Sequence, residues 1–173
     1  MDDSLFTARA DLGFAWSVKD TFLQYIRRMR DGDIAWSGGA AVTSGGEFFF
    51  PLAGVRRFSD CDVLTFRGSV VFTAHHGMLS VAITQPRITL RDGFADLSVH
   101  VGESETHIAT VQLPRAIRDG NVAMWLECPV ALTGGGPELF GGTYTDGEQL
   151  APLTVRVPAG AIATSGEGAL RSR

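Results

Sequence analysis

The sequence predicts a mainly β protein of the α+β type: an antiparallel β-sandwich or barrel-like sheet with one amphipathic helix near the N-terminus. Short segments of alternating apolar and polar residues recur at nearly regular spacing, separated by turn residues, which is typical of sandwiches and barrels. The chain contains 21 glycines, and phenylalanine dominates its aromatic fraction of 9%. This composition suits a turn-rich β protein better than a helical bundle.

The predicted helix covers residues 17–30. Ser17 is a favourable N-cap, and Asp20 in the first turn complements the helix dipole. Gly32 follows at a position suited to end a helix. The apolar residues of this segment recur at helical spacing and share one face, namely Val18, Phe22, Tyr25, Ile26 and Met29.

After the helix, the apolar period changes from helical to alternating. A short apolar run at residues 48–50 is stopped by Pro51. Tight turns are predicted at His75-His76-Gly77 and at Asp92-Gly93. The predicted strands cover residues 62–72, 78–83, 88–90, 94–101, 107–113, 122–126 and 153–157.

Length and composition predict one folded domain. A chain of 173 residues falls within the common size of a single domain. An apolar fraction of 45% with 20% charged residues is sufficient for a buried core and excludes wholesale disorder. Residues 1–157 are assigned to this domain, and residues 158–173, rich in glycine, alanine and serine, to a flexible C-terminal tail.

Charge and hydropathy restrict the partners and the compartment. A formal net charge of −4 and an isoelectric point near 5.5 argue against a nucleic-acid partner. No apolar run approaches the ~18–20 residues of a membrane-spanning helix. The first residues, MDDSLFTARAD, show no secretory signal, so we expect the chain as written to be cytoplasmic. The alternative is an exported or cell-surface domain whose leader has been removed.

The sequence lacks several enzyme and metal-site signatures. It contains no GxxxxGKS phosphate loop and no HExxH, GxSxG or CxxCH sequence. The glycines at residues 134–136 are interpreted as a loop, because they lack the strand-then-helix setting of a phosphate site. Cys61 and Cys128 are too few and too far apart for a CxxC zinc site. They could pair in an exported domain or remain thiols in the cytosol.

Tyrosines and histidines are the candidates for a binding function. The chain uses only two tyrosines, Tyr25 and Tyr144, against eleven phenylalanines, so the two hydroxyls could have specific roles. Tyr144 lies in a glycine-rich segment able to approach a ligand closely. His75 and His76 lie at a turn, where side chains can face a pocket. Taken alone, these residues are more simply interpreted as buried tyrosines with satisfied hydroxyls and as solvated turn histidines.

Three ordered segments resemble the HtaA domain family, the haem-binding domains of actinobacterial iron uptake. The first is GFAWSVK at residues 13–19, followed by Phe22 and Tyr25. The second is GSVVFTAHHGML at residues 68–79, with PRI at residues 86–88. The third is FGGTY at residues 140–144, with Gly147 and then Pro-Leu at residues 152–153. The chain departs from the family pattern at Ala74, usually glycine, and at His76.

The resemblance implies a function and a set of site residues. Tyr25 corresponds to the axial ligand of ferric haem b, His75 to its hydrogen-bonding partner and Tyr144 to a further pocket residue, with His76 the alternative to His75. Tyrosine is a recognised haem ligand, and a hydrogen-bond donor beside it favours the phenolate. The helix is then expected to cover a haem pocket, with one wall formed by Phe22, Ile26 and Met29.

We therefore expect a haem-binding module for capture, carriage or transfer, rather than an enzyme. Its expected partners are haem and, for transfer, another haem carrier or a transporter binding protein. One alternative is a haem-dependent enzyme with peroxidase-like, catalase-like or haem-degrading activity, since tyrosinate-ligated haem supports peroxide chemistry in catalase. The other is a cofactor-free β-sandwich interaction module.

Overall fold

The computed structural model describes residues 12–161 and shows a mainly β fold. The two α-helices of this part are short, α1 (Asp20–Arg28) and α2 (Gly136–Leu139), and a 3-10 turn covers Ala159–Ala161. The strands are β1 (Gly13–Trp16), β2 (Asp33–Ser37), β3 (Ala41–Val42), β4 (Phe48–Arg57), β5 (Asp62–Phe66), β6 (Ser69–Ala74), β7 (Leu79–Thr84), β8 (Arg87–Leu90), β9 (Phe94–Val101), β10 (Ser104–Gln112), β11 (Ile117–Asp119), β12 (Val122–Leu132) and β13 (Gln149–Pro158).

Eight strands form a closed antiparallel barrel, which confirms the barrel-like form of the sequence prediction. Their order is β1-β13-β12-β10-β9-β8-β5-β4, and the ring closes because β1 pairs with both β13 and β4. At the closure, Phe14 lies opposite Val155 on one side and Phe50 on the other. The short strands β3 and β11 add to β4 and β12 outside the ring. Closure leaves the ring without a free edge.

The barrel interior is filled by the inward-facing residues of alternating strands. The strand β5, for example, alternates buried and partly exposed residues along its length. Aromatic rings dominate near the closure, where Phe14 stacks on Phe50 with ring centroids 4.8 Å apart and meets the edge of Phe66 at 4.7 Å. Cys128 is fully buried in this core and Cys61 is partly exposed; both are free thiols.

A second sheet has the order β2-β6-β7, and its buried residues, among them Phe72 and Ile83, belong to the same core as those of the barrel. The single strand predicted over residues 62–72 is wrong, because the chain divides at Gly68 into β5 of the barrel and β6 of the second sheet. Gly68 has φ +107°, and a Cβ there would lie 2.7 Å from the Cβ of Ala40. Only glycine fits this close approach, so Gly68 marks the place where the chain leaves the barrel.

The predicted helix over residues 17–30 is corrected to the nine residues of α1. Val18 has a left-handed backbone, φ +67°, and Lys19 takes the N-cap position without a side-chain hydrogen bond. At the other end, Met29 is already extended. The expectation that this helix covers a pocket is not supported: its buried residues, Phe22, Leu23 and Ile26, pack into the core.

Several other boundaries differ from the sequence prediction. Pro51 does not stop its strand, since β4 continues to Arg57. The glycine-rich segment predicted as a loop includes the start of α2. In the tail assigned to residues 158–173, Pro158 still pairs with Val122, and residues 162–173 lie outside the described part of the chain. No helix of residues 12–161 is long and apolar enough to cross a membrane.

Candidate functional site

The hydroxyl of Tyr25 forms a short hydrogen bond with Nε2 of His75, and this pair is the centre of the candidate site. Tyr25 lies in the last turns of α1, whereas His75 lies at the tip of the β6–β7 hairpin. Their ring centroids are 5.9 Å apart. The tautomer of His75 determines which of the two groups donates. Two residues fifty positions apart in the chain are thus brought together at the surface.

The hairpin turn directs His75 towards the helix. His75 and His76 both have left-handed backbones, with φ +53° and +56°, and Gly77 follows with φ +83°. The N–H of Gly77 donates to the carbonyl of Ala74 at 3.2 Å, and the N–H of Met78 to the carbonyl of His75 at 3.0 Å. Left-handed conformations are uncommon for residues with a Cβ and concentrate at functional turns.

Asp31 attaches this turn to the segment that follows α1. Its carboxylate oxygen Oδ2 accepts a hydrogen bond from the backbone N–H of His76. The same oxygen lies 3.9 Å from Nδ1 of His76, whose side chain is 96% exposed. The hydrogen bond from the His76 N–H lowers the pKa of Asp31, and the His75 N–H adds a smaller effect in the same direction. Desolvation raises this pKa but does not cancel the lowering. Of the two histidines, His75 therefore contacts Tyr25 and His76 faces Asp31.

The helix is anchored beneath Tyr25 by aromatic contacts. Phe22 meets the edge of Phe72 on β6 at 5.2 Å and the edge of Phe140 at 5.4 Å. Phe22 and Ile26 are only 4% and 1% exposed, so they contact core side chains rather than open space. Met29 is partly buried against the edge of the core. The assignment of these three residues to a porphyrin wall stays a prediction.

Tyr144 lies near the opposite end of α1. Its ring meets Phe140 at 5.7 Å, and Nζ of Lys19 lies 5.4 Å from its centroid. Lys19 is also held by Glu148 at 3.2 Å. With a helical rise of 1.5 Å per residue, Lys19 and Tyr25 are roughly 9 Å apart along the axis. Tyr144 is therefore linked to the helix through Phe140 and Lys19, and its described contacts do not reach the Tyr25–His75 pair.

Two residues that the sequence analysis did not single out belong to this surface. Met78 follows His75 in the same turn and is 90% exposed, while Tyr25 is 45% exposed. Asp31 was missed because its partner is a backbone N–H, which no sequence pattern identifies. The exposure of Met78 also depends on the turn geometry.

The chemistry of the site is that of an oxygen ligand held by an imidazole. A phenol oxygen with one hydrogen-bond partner keeps a lone pair for a hard metal ion, and the imidazole orients it. Residues 12–161 contain no cluster of three or more His, Cys, Asp or Glu residues that could hold a bare metal ion.

Comparison with known proteins identifies relatives of the same architecture. The crystal structure of the C-terminal domain of HtaA from Corynebacterium glutamicum is similar with TM-score 0.72 and 23% identity, over 84% of this chain and 94% of that chain. The N-terminal domain of the same protein gives 0.69 and 24%, over 84% and 96%. The haem-binding protein HtaB from the same organism gives 0.60 and 20%, over 84% and 91%.

At these identities the solved structures establish a common fold. No curated protein sequence matches the chain. The Htaa family model, in contrast, matches residues 11–156, which include the barrel, α1 and the hairpin that carries His75. The match extends over most of the 173 residues, as the resemblance of the three sequence segments implied. The chain belongs to the HtaA family.

Proposed function

We propose that this protein binds haem for capture and transfer within an uptake system, with the phenol oxygen of Tyr25 as the iron ligand. The observation that carries the proposal is the hydrogen bond between Tyr25 and His75 at an exposed position. Proteins of the HtaA family are haem-binding uptake proteins rather than enzymes, and the similar structure HtaB is a haem-binding protein.

Ferric haem b is the form that suits this ligand. Ferric iron is a hard Lewis acid, and an anionic oxygen ligand stabilises Fe(III) relative to Fe(II). His75 donates a hydrogen bond to the phenolate oxygen, favours the charged form and fixes its direction. Reduction of the iron weakens such a bond, so the same ligand that captures oxidised haem permits its release.

The surface around Tyr25 offers apolar contacts for a porphyrin. Met29 is the C-cap of α1, four residues after Tyr25, and is partly exposed. Met78 extends from the hairpin turn and is 90% exposed. Both thioether side chains are flexible and polarisable, which suits a flat aromatic ligand. Met29 thus follows the helix that carries Tyr25, and Met78 follows His75 in the hairpin turn.

Exposed arginines in the last turn of α1 suit the haem propionates. Arg28 lies three residues after Tyr25, where helical geometry makes the two side chains neighbours. Arg27 is also exposed in that turn. Guanidinium groups bind carboxylates in a bidentate manner. The proposal assigns the propionates to this end of the helix.

A hemin titration of wild type and Tyr25→Phe tests the proposal. The wild-type protein should give a saturable high-spin ferric spectrum with a charge-transfer band near ~600 nm, as expected for oxygen ligation. Tyr25→Phe retains the ring and removes only the hydroxyl, so this band should disappear. Tyr144→Phe is the matched control and should retain it, since Tyr144 lies at the other end of α1.

Three outcomes would count against the proposal. A Tyr25→Phe spectrum identical to that of wild type would exclude Tyr25 as the ligand. Folded wild-type protein without saturable hemin binding would support the cofactor-free module. Steady peroxide turnover by the haem complex would support the enzymatic alternative.

Transfer requires a second protein that accepts the haem. We propose another haem carrier or a transporter binding protein for this role, because Tyr25 and His75 are exposed and accessible to a docking partner. The cytoplasmic and exported locations both stay open as proposals. Fractionation of the native host, with detection of the haem complex in each fraction, decides between them.

A further inference from the structure

A second candidate site lies at the base of the β6–β7 hairpin, at the opposite end from His75. It is an open cavity of about 540 Å³ between the connection from β5 to β6 and the connection from β7 to β8. Seven of its lining residues have polar side chains, namely Thr65, Arg67, Ser69, Thr84, Gln85, Arg87 and His100. From Ser69 to His75 the strand rises by roughly 20 Å, so this cavity is separate from the Tyr25–His75 pair.

The cavity is cationic in an acidic protein. Its charged lining residues are Arg67 and Arg87, and none of its described lining residues is an aspartate or glutamate. The chain as a whole carries a formal net charge of −4. Glu105 is the neighbouring carboxylate: its Oε2 accepts a hydrogen bond from Nη1 of Arg87 at 2.7 Å. A concentration of positive charge in a concave site attracts anions.

Arg87 contributes a partly exposed guanidinium to this wall. Its Nη1 pairs with Glu105, and its side chain is 37% exposed. Its Nε is buried without a hydrogen-bond partner among the described residues and is not accessible to a ligand in the cavity. A guanidinium with one edge occupied still offers the N–H groups of another edge to a second oxyanion.

Neutral donors complete the lining. The hydroxyls of Ser69 and Thr84 hydrogen-bond each other at 2.8 Å across the β6–β7 pair, so one of the two protons stays free to donate outward. Gln85 has φ +42° and donates its backbone N–H to the carbonyl of Gly68 at 2.9 Å, which holds the two connections together. Hydroxyl and guanidinium donors on one concave surface suit an oxyanion with several acceptor oxygens.

We propose that this cavity binds a small molecule bearing carboxylate or phosphate groups, with Arg67 and Arg87 as its charged contacts. Citrate and inorganic phosphate are the two probes, because both present several anionic oxygens and they differ in size and in group. Binding is independent of haem, so Tyr25→Phe should bind the same probe unchanged. Failure of haem binding and failure of anion binding are thereby distinguished.

Calorimetric titration at constant ionic strength, combined with ¹⁵N chemical-shift mapping, tests the proposal. At least one probe should bind saturably and shift the amides of residues 67–69, 84, 85 and 87. Arg67→Gln should weaken that binding at least about tenfold, because one charge-assisted contact is lost. Arg118→Gln on exposed β11 is the matched control and should leave the affinity unchanged. Arg67 is the preferred site of substitution because Arg87 also pairs with Glu105.

The remaining outcomes overturn the proposal. If neither probe binds saturably, the cavity is not an anion site. If Arg67→Gln and Arg118→Gln weaken binding equally, or if the shifts are confined to other residues, the protein attracts anions only non-specifically. Far-ultraviolet circular dichroism of each variant verifies that the barrel is intact before affinities are compared.

Discussion

The carboxylate of Asp31 accepts a hydrogen bond from the backbone N–H of His76, and this bond connects the chain after α1 to the turn that presents His75. The helix and the hairpin tip are thus joined twice, once between Tyr25 and His75 and once through Asp31. The second connection uses a backbone group and leaves the imidazole of His75 free to contact the phenol.

This connection should weaken in acid. The folded-state pKa of Asp31 is lowered below its ordinary value, so its contribution to the order of the turn is fully present above that value. The contribution is lost as the pH falls through the lowered pKa and the carboxylate is protonated. Hydrogen exchange of the residue 76 amide should therefore gain protection from pH 3 towards pH 5 relative to Asp31→Ala. Equal protection in wild type and variant across this range would contradict the assignment.

The two adjacent histidines should differ in their effect on bound haem. His75→Ala removes the partner of the Tyr25 hydroxyl and should weaken hemin binding by about 10–100-fold, the usual effect of losing such a supporting contact. His76→Ala should change the affinity less than about threefold, since its side chain is 96% exposed and the bond to Asp31 uses its backbone. Hemin titration of both variants measures the difference. Equal losses would mean that the turn as a whole, rather than His75, determines binding.

Alanine at Gly68 should destabilise the fold more than alanine at Gly77. Both glycines have positive φ, +107° and +83°, so each substitution incurs a backbone penalty of about 1–2 kcal/mol. Only at Gly68 does the added Cβ also meet Ala40 at 2.7 Å, whereas no atom lies within 4 Å at Gly77. This close contact should add about 1–3 kcal/mol to the loss of unfolding free energy. Urea denaturation of the two variants provides the comparison, and equal losses would show that the chain relaxes at Gly68.

The two thiols should react at very different rates. Cys128 is fully buried, and desolvation raises its pKa to about 11, so little reactive thiolate is present or accessible. Cys61 is partly exposed, and desolvation followed by the charge of Asp60 raises its pKa. Titration with a thiol reagent at pH 8 should modify one cysteine slowly in the native protein and the second only in denaturant. Cys61→Ser should leave no reactive thiol in the native state.

The alternating strands were predictable because one face of each is buried. Residues 94–101, for instance, form the strand β9 with the predicted bounds. Strand β2 was missed because nearly all of its residues are exposed, so it shows no alternation of apolar and polar side chains. Strand β1 was missed because four residues are too few for a period, and its pairing with both β4 and β13 depends on partners distant in sequence.

Part of the candidate site was likewise predictable from the sequence, and part was not. Tyr25 and His75 could be named from the resemblance of their segments to a family, and the structure brings their side chains together. The resemblance left His75 and His76 as alternatives, because direction at a turn depends on backbone angles that the sequence does not specify. Asp31 was not predictable, because its acceptor role depends on where a distant N–H lies.

The barrel ring closes without the β6–β7 hairpin, because β5 pairs directly with β8 on either side of it. The tip that carries His75, residues 75–78, is exposed, whereas the strands behind it contribute Phe72, Val81 and Ile83 to the common core. Changes confined to this tip can therefore alter what is bound while the pairing of the barrel strands is kept. The same scaffold can thus be adapted to a different ligand at its exposed end, whereas substitutions deeper in the hairpin disturb the packing of the whole domain.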